Sequence, residues 1–224
     1  RTAPRYRSEI LRNAYDLVMA RQEWLAEVMT LEMGKPLAEA MGEVAYAAEF
    51  LRWFSEEAVR VSGDHTTTGD GANRIIVTRE PVGPCVLITP PGTFPPWPWG
   101  TRKIAPAVAA GCTMVLKPAP QTPLSSLALA AILQESGLPA GVLNVVNTTD
   151  ASTVVQRWMT SGTARKVSFT GSTGVGKLLL RQAAETVMRS SMELGGNAPV
   201  RRLRGRRRRR RRRRCHGGQD AQHG

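Results

Sequence analysis

Cysteines, aromatic rings and long apolar runs are scarce in this chain, and each shortage excludes something. Three cysteines among 224 residues, Cys85, Cys112 and Cys215, are too few and too scattered for a disulfide framework or a thiolate metal cluster. A reducing compartment, the cytoplasm, is the expectation. No stretch of about 18 apolar residues occurs, so no membrane-spanning helix is expected. The segment from Arg1 to Arg7 lacks the apolar core of a signal peptide. Acid is also short, with 18 Asp and Glu against 31 Lys and Arg and a formal charge of +13. Eleven of those net charges come from Arg201 to Gly224, so the basicity belongs to a tail and the first 200 residues are nearly neutral. What remains, 42% hydrophobic with 21 Gly and 15 Pro, suits one or two packed domains and excludes a wholly disordered chain.

Apolar residues at three- and four-residue steps predict an amphipathic helix from Ser8 to Thr30, with Trp24 beside its stripe, and a second from Leu37 to Val61 that ends at Ser62-Gly63. A polar, Gly-rich loop is expected from Asp64 to Asn73. Two β-branched strands follow, Arg74 to Thr78 and Val82 to Thr89. From Ile104 the pattern alternates: helix 104–110, strand 113–116, helix 124–135, strand 142–146, helix 151–159, strand 166–170, helix 175–187. Strands separated by helices predict βαβ units and a parallel sheet. Ligands bind beyond the carboxyl ends of strands in such sheets, which directs attention to Lys117-Pro118 and Gly171-Ser172.

The string Phe169-Thr-Gly-Ser-Thr-Gly-Val-Gly176 joins a predicted strand to a predicted helix. Backbone N–H groups and the helix dipole would face any anion placed there, such as a pyrophosphate. The same glycines could equally only close a βα turn with Ser172 or Thr173 as N-cap, and their spacing is not GxGxxG. Glu193-Leu-Gly-Gly196 sets a carboxylate at a strand end before two glycines, where it could act as a base on a water or be an ordinary surface acid. Lys117, at the end of an apolar strand, could hold a ribose hydroxyl or phosphate, or be solvated.

Taken together with Glu32-Met-Gly-Lys-Pro36, Leu87-Ile-Thr-Pro90, Thr101-Arg-Lys-Ile-Ala-Pro-Ala107, Ala110-Gly-Cys-Thr113 and Gly137-Leu-Pro-Ala-Gly-Val142, these strings resemble the aldehyde dehydrogenase superfamily, and within it the succinate-semialdehyde dehydrogenases, from about Thr2 to Pro199. The resemblance implies an α/β, Rossmann-like cofactor-binding domain: a parallel sheet flanked by helices, N-terminal helices packed against it, and a β-hairpin that serves oligomer contacts. Residues 1–199 would be a partial cofactor-binding region, with the catalytic domain missing. The implied activity is NAD(P)-dependent oxidation of a small-molecule aldehyde to a carboxylate, with succinate semialdehyde the expected substrate and a homo-oligomer the expected full-length form. Ile88, Thr89, Pro90, Arg102, Lys117, Pro118, Ala119, Pro120, Gly171, Ser172, Thr173, Gly174, Val175 and Gly176 would line the dinucleotide site. Arg102 would also touch the substrate carboxylate, Glu193 would be the general base for thioester hydrolysis, and no metal is implied. NADP is favoured over NAD, because Pro120 stands where many NAD-preferring relatives carry a Glu that would repel a 2′-phosphate.

Two elements that the resemblance implies are absent from the sequence: a Trp-Asn pair just after Thr89-Pro90, and the nucleophilic Cys, since Cys85 and Cys112 match positions where the family keeps no nucleophile. Both absences read as frame slips. Shifted by one frame, the codons allowed for Pro91 to Phe94 permit Trp-Asn-Phe, and those for Trp97 to Trp99 permit Leu-Ala-Met. From Val200 onward the shifted codons permit Phe-Val-Val-Phe-Glu, and those of Cys215 to Gly224 permit a string ending Arg-Asn-Met-Gly, like the segment that leads to the nucleophile. Residues 200–224 are therefore expected to be a frameshifted, disordered tail and the chain as written to be inactive. The alternative reading takes Arg206 to Arg214 as a genuine polycation that binds nucleic acid through counterion release. Such binding would be non-specific, for the tail has no aromatic residue to stack on bases.

Overall fold

A computed structural model describes residues 2–90 and 96–196 of the chain; the segment 91–95, where the Trp-Asn pair is expected, and the Arg-rich tail lie outside the described residues. Helix α1 (Pro4–Ala20) starts with Pro in its first turn, where the missing N–H costs nothing, and buries Ile10, Leu11, Ala14 and Val18. The single helix expected from Ser8 to Thr30 divides at Arg21, whose φ of −112° and ψ of 18° break the helical path. Its N–H donates to the carbonyls of Leu17 and Val18, and its guanidinium forks onto Glu135 at 2.7 Å. Helix α2 (Gln22–Met33) then buries Leu25, Ala26 and Met29 and closes at Gly34, whose φ of 73° is a left-handed C-cap. Trp24 lies off this stripe, exposed. Helix α3 (Leu37–Glu57) buries Ala40, Val44, Ala47, Ala48 and Leu51, and stops short of the expected Val61.

The expected loop 64–73 is half strand. β1 (Asp64–Thr67) pairs antiparallel with β2 (Arg74–Val77), Asp64 opposite Val77. The turn between them is built by side chains: Thr68 Oγ1 bonds Asp70, and Asp70 accepts the Ala72 N–H at 3.0 Å. Arg74 to Val77 thus makes a hairpin with the polar segment before it.

A second sheet is wholly parallel, in the order β5-β4-β3-β6-β7, formed by β3 (Cys85–Ile88), β4 (Met114–Lys117), β5 (Leu143–Val145), β6 (Lys166–Gly171) and β7 (Arg189–Leu194). The intervening helices are α4 (Pro96–Ala110), α5 (Pro123–Glu135), α6 (Ala151–Thr160) and α7 (Thr173–Glu185). α4 begins well before the expected Ile104 and carries Pro106 inside it, which removes one N–H donor from its ladder. Period-2 alternation sends Cys85 and Leu87 of β3, with Met114 and Leu116, to one face, where they join Leu11, Leu25, Leu51, Trp97, Ile104 and Leu133 from the helices. Val86, Ile88, Val167 and Phe169 face the other way, against Val155 and Met159 of α6 and Leu179 and Ala183 of α7. β3 is the middle strand: β4 and β5 build outward on one side, β6 and β7 on the other. The direction of winding therefore switches between β3 and β6. Among the described residues β7 is an edge strand, and all of its positions but Met192 are exposed.

Candidate active site

Three segments converge beyond the carboxyl ends of the strands: Thr89-Pro90 after β3, Pro118-Ala119-Pro120 after β4, and Ser172 after β6. Ile88 stands in register with Lys117 on one side and Phe169 on the other, and the Thr89 N–H donates to the Lys117 carbonyl at 3.3 Å. Ser172 is the N-cap of α7, its hydroxyl accepting the Val175 N–H at 3.4 Å. Residues 172–175 are exposed, and a Cβ built on Gly174 would meet nothing within 4 Å, so the helix start opens to solvent. The other two glycines serve packing. A Cβ at Gly171 would come 2.5 Å from the Phe169 ring, and one at Gly176 would come 2.5 Å from Leu194, so each lets backbone lie close to a neighbour.

Lys117 is buried, not solvated, and its ammonium donates to the Pro118 carbonyl at 2.8 Å. Burial pushes its pKa down. Ala119 is buried beside it and Pro120 is exposed.

On the α4 side of the sheet lies a cleft of ≈ 490 Å³. Its floor is polar, made by Ser168 and Thr170 of β6 and Ser191 and Glu193 of β7; the other lining residues include Trp99, Arg102 and Lys103 of α4 and Phe50 and Phe54 of α3. Glu193 stands opposite Thr170 in register, one residue before Gly171, so the cleft meets the glycine turn at the end of β6. Thr170 Oγ1 is buried with no partner among the described residues. The Arg102 guanidinium sits 4.8 Å from the Trp99 ring centre and 5.4 Å from that of Phe50, a stacking that holds the cation in the cleft while leaving its N–H edges for an anion.

Lys103 was not singled out by sequence reasoning. It is 6% exposed and donates to Ser168 Oγ at 3.0 Å. Burial lowers its pKa to about 8 against the opposing pull of Glu193, with Arg102 and Lys166 pushing the same way as burial. The available signal was its place three residues after Gly100 and four before Ala107, on the inner stripe of a helix that the Pro- and Trp-rich string disguised. Of the sequence-predicted residues, the structure thus brings Ile88, Thr89, Lys117 and the 171–176 turn to one edge, and puts Arg102 and Glu193 in the adjoining cleft. No group of three or more His, Cys, Asp or Glu among the described residues could hold a metal ion. No helix among them is long and apolar enough to cross a membrane.

The aldehyde dehydrogenase family matches residues 1–201. A succinate-semialdehyde dehydrogenase of Paenarthrobacter nicotinovorans is 63% identical over 199 residues, covering 89% of this chain and 44% of the relative. A 3-sulfolactaldehyde dehydrogenase of Pseudomonas putida is 52% identical, covering 89% and 40%. Among solved structures, an Escherichia coli NADP-dependent enzyme superposes with a TM-score of 0.85 at 49% identity, over 88% of this chain and 40% of that one. The chain spans about two fifths of the length of these relatives. In sequence over nearly its whole length and in the superposition of its fold, this chain belongs to the aldehyde dehydrogenase family.

Proposed function

We propose that the full-length enzyme built on this chain oxidises an aldehyde with an anionic far end, succinate semialdehyde foremost, to the carboxylate with NADP. The observation that carries this reading is Arg102, whose guanidinium sits 5.4 Å from the Phe50 ring centre in the cleft that Glu193 also lines. An arginine so held takes a carboxylate or sulfonate by paired N–H bonds. The substrates named for the two relatives, succinate semialdehyde and 3-sulfolactaldehyde, each join an aldehyde to such an anion.

The carboxyl edge suits a dinucleotide, because an open helix start with no side chain at Gly174 lies at the switch point beside a cationic strand end. Ser172, Thr173, Gly174, Val175 and Gly176 would take the pyrophosphate side, Ile88, Thr89 and Pro90 the wall between, and Lys117, Pro118, Ala119 and Pro120 the adenosine end. When bound, the cofactor supplies the hydride acceptor. Glu193 takes the proton from the water that cleaves the thioester, which its exposed place on β7 leaves open to solvent. The preference for NADP rests on Pro120, which brings no carboxylate to a 2′-phosphate, and on the positive charge of Lys117 nearby. The NADP-dependent relative accords with it.

The test uses the frame-repaired, full-length enzyme. Arg102→Ala is expected to raise KM for succinate semialdehyde by about tenfold or more, the value of one charge-assisted contact, and to leave KM for butyraldehyde nearly unchanged. Equal losses on both substrates would overturn the role of Arg102. Equal turnover with NAD and NADP would overturn the cofactor preference.

A further inference from the structure

The cleft holds more positive charge than the reaction proposed above uses. Arg102, Lys103 and Lys166 line it, and among the described residues Glu193 is the one acid that does. Arg102 is assigned to the anionic end of the aldehyde, which leaves the two lysines.

Lys103 reaches the sheet from α4, and Lys166 occupies the first position of β6. The Lys103 ammonium donates to Ser168 Oγ at 3.0 Å, and the Lys166 ammonium donates to Ser191 Oγ at 2.6 Å. Ser168 and Ser191 are register partners on β6 and β7, so their strands run about 4.8 Å apart. Neither lysine has an ion-pair partner among the described residues. A hydroxyl that accepts from an ammonium keeps its own proton to give, and an ammonium carries three. Among the described residues no acceptor takes the hydroxyl protons of Ser168 or Ser191. Thr170 Oγ1, two residues along the same face from Ser168, is also buried and unpartnered. Donors thus crowd a pocket that is short of acceptors, and a buried ammonium without a counter-charge is costly. Burial, with Arg102 and Lys166 acting in the same direction against Glu193, lowers the pKa of Lys103 to about 8.

We propose that Lys103, Ser168, Ser191 and Lys166 form a binding site for a small free oxyanion of the phosphate class. Two ammonium groups match the charge of a dianion, and the hydroxyls of Ser168, Ser191 and Thr170 offer donors to its remaining oxygens. A monocarboxylate would balance one lysine and leave the other unmet. The position also separates this site from the dinucleotide edge: Lys166 opens β6 and Gly171 ends it, about 16 Å further along the strand. The site stands whether or not Arg102 takes the aldehyde's anionic end.

The test titrates the full 224-residue chain with inorganic phosphate in a calorimeter at physiological ionic strength. Lys166→Gln and Ser191→Ala, both away from the core clusters, should each weaken phosphate binding about tenfold, the value of one charge-assisted bond. Phosphate held by the arginine tail is common to all three chains and cancels in the comparison. A second measurement needs no variant. Between pH 7.5 and pH 9 phosphate stays a dianion and arginine stays charged, so the fall in affinity, about fivefold, reports the loss of the Lys103 proton. Adenosine 2′-phosphate carries the cofactor's own phosphate, and Lys166→Gln should leave its binding unchanged. No loss of phosphate affinity in either variant, or an affinity flat across that pH range, would overturn the proposal. An equal loss for adenosine 2′-phosphate would overturn the assignment to a free oxyanion.

Discussion

Burying the ammonium of Lys103 against Ser168 has a cost that depends on pH, and its sign follows from the direction of the shift. The folded chain holds the group at about 8 in place of the usual 10.5. Between those values the unfolded chain binds more protons, so folding stability rises with pH across that window. The thermal midpoint measured at pH 8 and pH 10 should climb in the unaltered chain, and the climb should shrink in Lys103→Met. An identical climb in both would show that the lysine is not buried as described. Trp97 offers a second residue-scale test. It is fully buried and its indole N–H has no acceptor among the described residues, a loss of about 1–3 kcal/mol for an unmet donor. A string produced by a frame slip would never have been selected for that site, and an orphaned donor is what such a string leaves behind. Replacing Trp97 by 3-benzothienylalanine, which keeps both fused rings and puts sulfur where the N–H was, removes the donor without a cavity, so urea denaturation should show a gain of about 1 kcal/mol. A loss of that size instead would mean that the N–H is satisfied.

At the scale of elements, Glu32 reaches from the last turn of α2 to the start of α5, where its carboxylate accepts the N–H groups of Leu124 and Ser125 and the Ser125 hydroxyl. Thr122, the residue at the N-cap position, makes no side-chain cap of its own, so the cap of α5 is supplied from about 90 residues away. Glu32→Ala should cost about 1–2 kcal/mol, read as a lower urea midpoint with unchanged slope; no shift would mean that water replaces the cap. Such long-range ties also explain what could be read locally and what could not. α5, α6, α7 and the central strands were legible, because apolar spacing and strand-helix alternation are local signals. The break at Arg21 was not, since it accompanies a pairing with Glu135 on another helix. β1 was hidden because Asp64 to Thr67 is exposed throughout and carries no alternation. In the site, strand ends and glycines were visible as strings, whereas Lys103 owes its character to burial against Ser168, which only folding brings near.

Over the whole molecule, apolar side chains remain uncovered: Val187 is 90% exposed, Leu31 85% and Ile76 71%. Together with the edge of β7, unpaired among the described residues, such surface seeks a partner. Sedimentation of the chain should show association that grows with concentration, and a monomer at all concentrations would contradict this. The frame-slip reading has its own test in the DNA. Removing one base near the codons of Pro199 and Val200 should open a frame through and past Gly224, with a Cys codon within about ten codons of it; a stop inside the arginine run would refute the reading and leave the tail as genuine protein.

The central place of β3 also sets an order of events during folding. β3 can join β4 and β5 as soon as Val145 has been made, but its other neighbour, β6, arrives only about 80 residues after it. Closing so long a loop is slow, and the reward comes only when the two halves meet. The seam between β3 and β6 is thus the last joint of the sheet to form, and it is the same seam at which the glycine turn and Thr89 face each other. Maturation of the carboxyl edge of the sheet and completion of the fold are, in this chain, a single late step.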